Sequence, residues 1–286
     1  MTAVTLTDAE LSRFTAKPAR SGLRGGFSAV TWTNAAQLTE AERDRLDEVM
    51  IRLQSRVYDG DATEVWRQRR ADGFFDLVSK FHLIRTPAAE VIGWMSLVRR
   101  RLAGAHVIYL DSTGMLPEYQ RSGRIYALHV RDLVGEMARN WHRMIYLSMR
   151  TRNPVVYKEY LRGSGGLGFF PMPERPVPDR VRAVAAELAV ALGQRERLDE
   201  ATLVIKDAYQ DELRSGRETP ESGDPVIDGF FAGHLGPGDA YLIFLEATLP
   251  RMIGFLIRDV KTLYGRMRRA TNATKKVRND APKRVN

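Results

Sequence analysis

Apolar positions along this chain fall into strand-like runs and runs with a three-to-four-residue repeat, and their order predicts its elements. Residues 27–33 (FSAVTWT) are rich in β-branched and aromatic side chains and read as a strand. Thr39 followed by Glu42 has the spacing of a capping box, and the helix behind it places Leu46, Met50 and Leu53 on one face. A short helix is expected over 62–70. Three strand-like runs follow at 81–86 (FHLIRT), 91–98 (VIGWMSLV) and 106–112 (HVIYLDS), separated by brief turns that predict an antiparallel meander. Beyond the loop TGMLPEYQRSG, Ile125, Leu128, Leu133 and Met137 mark a helix over 124–139. A short strand at 144–149 then leads to a helix opened by Asn153 and Pro154. Strand, loop, helix and strand in this order predict a parallel crossover unit joined to the meander.

Later segments are less regular. Residues 179–192 read as helix, 201–209 as strand-like and 240–247 as a buried strand, while 213–226 is rich in Gly, Pro, Ser and charge. Residues 1–25 mix polar residues with glycine and read as a poorly ordered arm.

Composition narrows the chemistry. A chain of 286 residues with 44% hydrophobic content can bury a full core, as one large domain or two small ones. It has no 20-residue apolar run and no secretory signal at its start, so the expected place is the cytoplasm. With no cysteine, disulfides, thiolate metal sites and a cysteine nucleophile are excluded. No histidine–carboxylate set has metal-ligand spacing, so no metal is expected, and no G-x-S-x-G or P-loop pattern is present.

The net charge of +9 is concentrated at one end. Residues 251–286 hold eleven lysines and arginines against two aspartates, which leaves the rest of the chain near neutral. A nucleic-acid-binding domain would spread its positive charge over a folded face, so nucleic acid is not the expected partner. From Leu249 the apolar positions Met252, Ile253, Leu256, Ile257, Val260 and Leu263 keep helical spacing, with Arg251, Arg258, Lys261 and Arg268 opposite. Three readings fit this basic amphipathic helix: packing on the main domain, docking to an anionic membrane surface, or recognition of an acidic partner such as an acyl carrier protein.

The most informative stretch is Met115-Leu116-Pro117-Glu118-Tyr119-Gln120-Arg121-Ser122-Gly123-Arg124-Ile125. A strand runs into a short loop and directly into a helix, whose first N–H groups lack internal partners and whose dipole adds positive potential. Such a start binds phosphate when the chain permits close approach, which Gly123 does, and Arg121 and Arg124 could add charge-assisted contacts. A glycine at a helix start is also an ordinary turn or cap. PEYQRSGRI resembles the acetyl-CoA-binding motif of GNAT acyltransferases. Met115 stands for the family's valine; Pro117, Gln120 and Gly123 match; Leu128 matches the apolar position one turn on. Ile125 stands where the family has a small residue. The resemblance implies donor contacts from Met115, Gln120, Arg121, Ser122, Gly123, Arg124 and Ile125.

A second match lies downstream. Asn153 and Tyr160 stand at the family's spacing, followed by Gly168-Phe169 after an inserted Gly163-Ser164-Gly165-Gly166. The resemblance implies that Asn153 contacts the pantetheine arm and that Tyr160 protonates the leaving thiolate. Tyr160 also reads as an ordinary half-buried helix tyrosine. An amine must lose its proton to react. Asp111, the one acid on HVIYLDS and on the same face as Tyr109, is a candidate base, or else caps the following loop. His82 and His106 lie in strands and read first as core or surface residues. Asp132 and Glu136 read as solvated on the helix's exposed face.

The resemblance covers 27–170. It implies a mixed, mostly antiparallel α/β sheet flanked by helices: an arm over 1–26, an acyltransferase domain over 27–248 and the basic helix and tail over 249–286. The expected activity is transfer of an acetyl or other acyl group from acyl-CoA to a small-molecule amine or protein acceptor by direct attack. The alternatives are a carrier-protein or long-chain acyl donor, with the chain peripheral to a membrane, or a catalytically silent acyl-CoA-binding protein.

Overall fold

The computed structural model describes residues 4–120, 122–166, 168–209 and 220–248; Arg121 and the basic helix expected over 249–286 lie outside the described residues. Residues 4–22, expected as a loose arm, are built into the fold. Helix α1 (Asp8–Arg13) is opened by a capping box in which Thr7 and Glu10 each satisfy the other's main-chain N–H. Strand β1 (Ala19–Gly22) pairs with β2 (Ser28–Trp32), and Val4, Leu6, Leu11 and Phe14 are buried. Four apolar anchors spaced along a polar segment are enough to hold it down, since each removes its side chain from water.

Helix α2 (Glu40–Tyr58) begins at the expected Thr39–Glu42 capping box, and α3 (Thr63–Ala71) and α4 (Phe74–Leu77) follow. The meander consists of β3 (Lys80–Arg85), β4 (Val91–Leu102) and β5 (Ala105–Met115), each antiparallel to its predecessor. Helix α5 (Arg124–Arg139) crosses to β6 (Ile145–Thr151), which lies parallel to β5. Then come α6 (Pro154–Ser164), β7 (Phe169–Phe170), α7 (Asp179–Ala191), the short pair β8 (Leu198–Asp199) and β9 (Val204–Ile205), α8 (Pro225–His234) and β10 (Ala240–Ala247). The strand expected over 201–209 shrinks to the two residues of β9.

The sheet order is β1-β2-β3-β4-β5-β6-β10-β9-β8, with β7 also against β10, and β5–β6 is its parallel pair. Alternation along β5 sorts the helices onto two faces. Val107 and Tyr109 pack with Val181, Val184 and Leu188 of α7. Ile108 and Leu110 pack with Leu133 and Met137 of α5, Tyr157 and Tyr160 of α6, and Ile227 and Phe231 of α8. The α2–α4 helices share α7's face, where Trp66 and Phe74 stack edge-on and Phe74 and Phe75 meet Phe81 of β3. Among the described residues, no helix is long and apolar enough to cross a membrane.

Candidate active site

The site begins with a fault in the sheet. Along β4 and β5 the partners run Met95 with Thr113 and Ser96 with Ser112, then jump to Leu97 with Leu110. Asp111 is therefore the extra residue of a β-bulge, which bends its strand and raises the local twist. The parallel pairing of β5 with β6 runs from His106 and Ile145 to Leu110 and Met149 and stops at the same point, although β5 continues to Met115 and β6 to Thr151. The two strands part at the bulge. The strand that leaves is the one that runs into the loop and α5.

In that loop a short 3-10 turn, Pro117–Tyr119, is followed by Gln120, whose Nε2 donates to the carbonyl of Met115 at 3.0 Å. Ser122 donates to the Met115 sulfur at 3.7 Å. Gly123 is the N-cap residue of α5 with φ of 71°, a left-handed conformation that favours glycine, and no side chain caps the helix. A Cβ added at Gly123 would meet nothing within 4 Å beyond its chain neighbours, so the helix start is open at that point. Ile125, which departs from the family pattern, packs against the core beneath the loop with Met115, Leu116 and Leu128. Its bulk thus lies with the core. Arg124, expected to contact the phosphate, has its guanidinium over the ring of Phe27, 3.6 Å from the centroid.

Asn153 is the N-cap of α6, and its Oδ1 accepts from the N–H of Val155 at 2.9 Å and Val156 at 3.4 Å. That bond explains why Asn-Pro opens a helix here, with Pro at the first position, where its missing N–H costs nothing. Two turns further on, Tyr160 is buried and its hydroxyl is hydrogen-bonded to His129 Nδ1 on α5. Burial pushes the Tyr160 hydroxyl well above its ordinary pKa and pulls His129 down to about 3. His129 is therefore a neutral imidazole. Its Nε2 is buried and has no hydrogen-bond partner among the described residues.

Asp111 approaches from the opposite face. Its Oδ2 is ion-paired with Arg69 of α3 and accepts from the Ser96 hydroxyl at 3.3 Å. Arg69 in turn lies over the Phe74 ring, 5.0 Å from its centroid. Tyr109, on the same face, accepts from Arg150 Nε at 2.9 Å, and Arg150 also bonds Gln194 at 2.9 Å. Tyr160 and Asp111 thus flank the parting strands from two sides and do not touch each other.

Two acids expected in water are in the core. Asp132 and Glu136 are each 5% exposed. Asp132 accepts from Lys80 at 2.7 Å through Oδ1 and from His82 Nε2 at 2.8 Å through Oδ2, and the Thr31 hydroxyl lies 2.8 Å from His82 Nδ1. Glu136 is held by Arg99 and Arg139, both at 2.6 Å. Burial raises the Asp132 carboxyl, but the bonds and charges of His82 and Lys80 outweigh it and bring the group to about 2. The signal for this placement was in the sequence. Residues 125, 128, 129, 132, 133, 136 and 137 form one helical stripe, so the apolar positions carry His129, Asp132 and Glu136 inward with them. Among the described residues, no cluster of His, Asp and Glu could hold a metal ion.

No protein-family profile and no curated protein sequence matches the chain. It is similar to a CoA-bound GNAT family N-acetyltransferase (YhbS) from Escherichia coli, at 14% identity over 40% of this chain and 61% of that one, with a TM-score of 0.31. It is also similar to a GNAT family acetyltransferase from Staphylococcus aureus, at 14% identity over 54% of this chain and 87% of that one, with a TM-score of 0.34. A spermidine N-acetyltransferase from Vibrio cholerae is 13% identical over 54% of this chain and 84% of that one, with a TM-score of 0.31. The chain thus spans less than two thirds of the Escherichia coli protein. Meander, bulge, parallel β5–β6 pair and the glycine-led helix between them give this chain the GNAT-type fold that its loop motif implies.

Proposed function

We propose that this protein transfers an acyl group from acyl-CoA to an amine. One relationship carries the reading: the strand that parts from β6 at Asp111 leads, through the loop at 116–123, into a helix whose glycine-led start is open and uncapped. That start suits a pyrophosphate, with main-chain N–H groups of residues 122–125 as donors. Ser122 and Gly123 leave it exposed, Gln120 fixes the loop by its bond to Met115, and Arg121 completes the motif. Acyl-CoA supplies an activated thioester carbonyl, which an amine can attack directly. This chain has no cysteine to carry a thioester intermediate.

As the C–S bond breaks, Tyr160 gives its hydroxyl proton to the departing sulfur, turning away from His129. The amine proton goes to Oδ1 of Asp111 or to water, because Oδ2 is already held by Arg69 and Ser96. Asn153 keeps its side-chain NH₂ as a donor for the pantetheine arm while Oδ1 accepts from the N–H groups that open α6. The acceptor is an amine on a small molecule or a protein. Calorimetric titration of CoA and acetyl-CoA into the wild type and Gly123→Glu tests the reading. Micromolar binding by the wild type, lost in the variant, supports it; no binding by the wild type overturns it.

The concentration of basic residues in 251–286 favours a second reading, in which the donor arrives on an acidic carrier protein. Removal of residues 249–286 would then abolish transfer from the carrier while transfer from free acyl-CoA survives. Equal loss of both, or of neither, would reject it.

A further inference from the structure

At the other end of β5 the side chains form a second, separate cluster. The β4–β5 hairpin, the start of β6 and the first turns of α7 enclose an open groove of about 630 Å³, lined by Arg101, His106, Arg143, Met144, Arg180 and Val184 among others. That volume is within the range of small-molecule sites. Ten residues of strand, about 33 Å at the usual rise, separate this end of β5 from the loop that precedes α5.

The charges in the groove are not balanced. Arg180 is ion-paired with Glu246 at 2.5 Å. Arg99 and Arg139, nearby in sequence, are taken up by Glu136. Arg101 and Arg143 have no carboxylate partner among the described residues. Both point a guanidinium N–H at the same atom, His106 Nε2, at 3.2 and 2.8 Å. Arg143 Nε also donates to His142 Nε2 at 3.0 Å. Glu187 of α7 accepts from the main-chain N–H of Ala103 at 2.6 Å.

Two cations thus share the lone pair of one neutral imidazole. Partial burial and the two arginines all push His106 below its ordinary pKa, which keeps that lone pair available. An imidazole is a weak counterweight for two guanidinium groups held this close, and each retains unused donors in a planar fork. A group with two negative charges and several oxygens would cancel both and bridge them by charge-assisted bonds. A phosphate monoester carries about −1.5 to −2 at neutral pH, whereas a carboxylate would neutralise only one arginine. Met144 and Val184 give the groove an apolar wall for a small body attached to the phosphate.

We infer that the groove between the β4–β5 hairpin and α7 is a second binding site, for a small phosphorylated molecule whose phosphate bridges Arg101 and Arg143. The site does not depend on the acyltransfer reading, since none of its residues belongs to the loop before α5.

The test is a titration of the full chain with inorganic phosphate at constant ionic strength. His106 ring signals are followed by NMR and assigned with His106→Gln. Saturable movement of those signals, with a rise in the His106 titration midpoint, is expected. Sodium acetate at equal ionic strength is expected to move them far less. In the Arg101→Gln/Arg143→Gln pair, calorimetric phosphate binding should weaken about tenfold or more, which is the loss of at least one charge-assisted contact. In Gly123→Glu it should persist at this site. If phosphate moves His106 no more than chloride does, the inference is overturned. It is also overturned if the paired variant binds phosphate as the wild type does. Should the paired variant melt early, the wild-type NMR titration alone decides.

Discussion

The hydroxyl of Tyr160 is hydrogen-bonded to Nδ1 of His129, joining α6 to α5 inside the core. Burial keeps His129 neutral, so the imidazole does not take the phenol proton, which stays on Tyr160 until a better acceptor arrives. Replacing Tyr160 with Phe keeps the buried ring and removes the acid. Turnover is expected to fall by about 10²–10⁴, the usual worth of a placed general acid, with CoA affinity nearly unchanged. Steady-state kinetics and calorimetry on the same sample separate the two. Unaltered turnover would make Tyr160 an ordinary helix tyrosine.

The same histidine makes stability depend on pH. Unfolded, His129 takes up a proton near 6.5; folded, it resists until about 3. Between those values the unfolded chain binds the extra proton, so stability falls as pH falls, by about 1.4 kcal/mol per unit for one group. His82 is shifted in the same direction by burial and adds to the loss. Asp132 acts lower down: its folded value near 2 lies under the ordinary 3.8, so its contribution is present above 3.8 and disappears between the two. Urea unfolding at pH 6, 5 and 4 reads the slope. In His129→Gln it should be shallower by about one proton's worth, about 1.4 kcal/mol per unit; an unchanged slope would mean His129 is protonated in the fold.

Asp132→Asn removes the one carboxylate that Lys80 and His82 share. Lys80 is only 8% exposed, so its ammonium would be left buried without a counter-ion. Breaking a buried pair in this way costs about 3–5 kcal/mol. Chemical denaturation should show the midpoint drop with little change in m-value. A loss below about 1 kcal/mol, the size found for surface pairs, would mean that water reaches the site.

Gly123 tests the loop by conformation and by charge. Asn tolerates the left-handed region better than other side chains, and Ala pays about 1–2 kcal/mol for it. Nothing beyond the chain neighbours lies within 4 Å of the Cβ that either side chain would add. Melting temperatures should therefore follow Gly, Asn, Ala in falling order, while CoA binding survives in Gly123→Asn and is abolished by the negative charge of Gly123→Glu. Equal CoA binding in all of these variants would move the phosphate away from α5.

Most elements could be read from local spacing because each is set by neighbours in sequence. Thr39 and Glu42 cap their own helix, Asn153 caps α6, and the runs at 91–98 and 106–112 are apolar, β-rich stretches bounded by turns. The loop 115–125 was legible for the same reason, since a glycine at a helix start acts through its own backbone. What failed were judgements about partners. Asp132 and Glu136 looked solvated because a charge by itself prefers water, yet each sits on a stripe whose spacing turns it inward.

Between residues 27 and 170 the sequence by itself determined which segments are helix or strand and that a glycine-led helix follows a strand of the meander; it did not show α1 and β1 in the arm, the shortness of β9, or α8. Tertiary structure alone decided where the charges and protons rest. Asp132 meets residues some fifty positions away on β3, Tyr160 meets His129 thirty-one positions back, and Arg143 meets His106 across β5 and β6. It also decided that β5 and β6 part at Asp111, because a bulge is a mismatch between two strands and exists only once they are paired. A side chain's preference for water or helix is local and shows in the sequence. The partner that reverses that preference is long-range, and it appears only when the sheet and helices have closed around it.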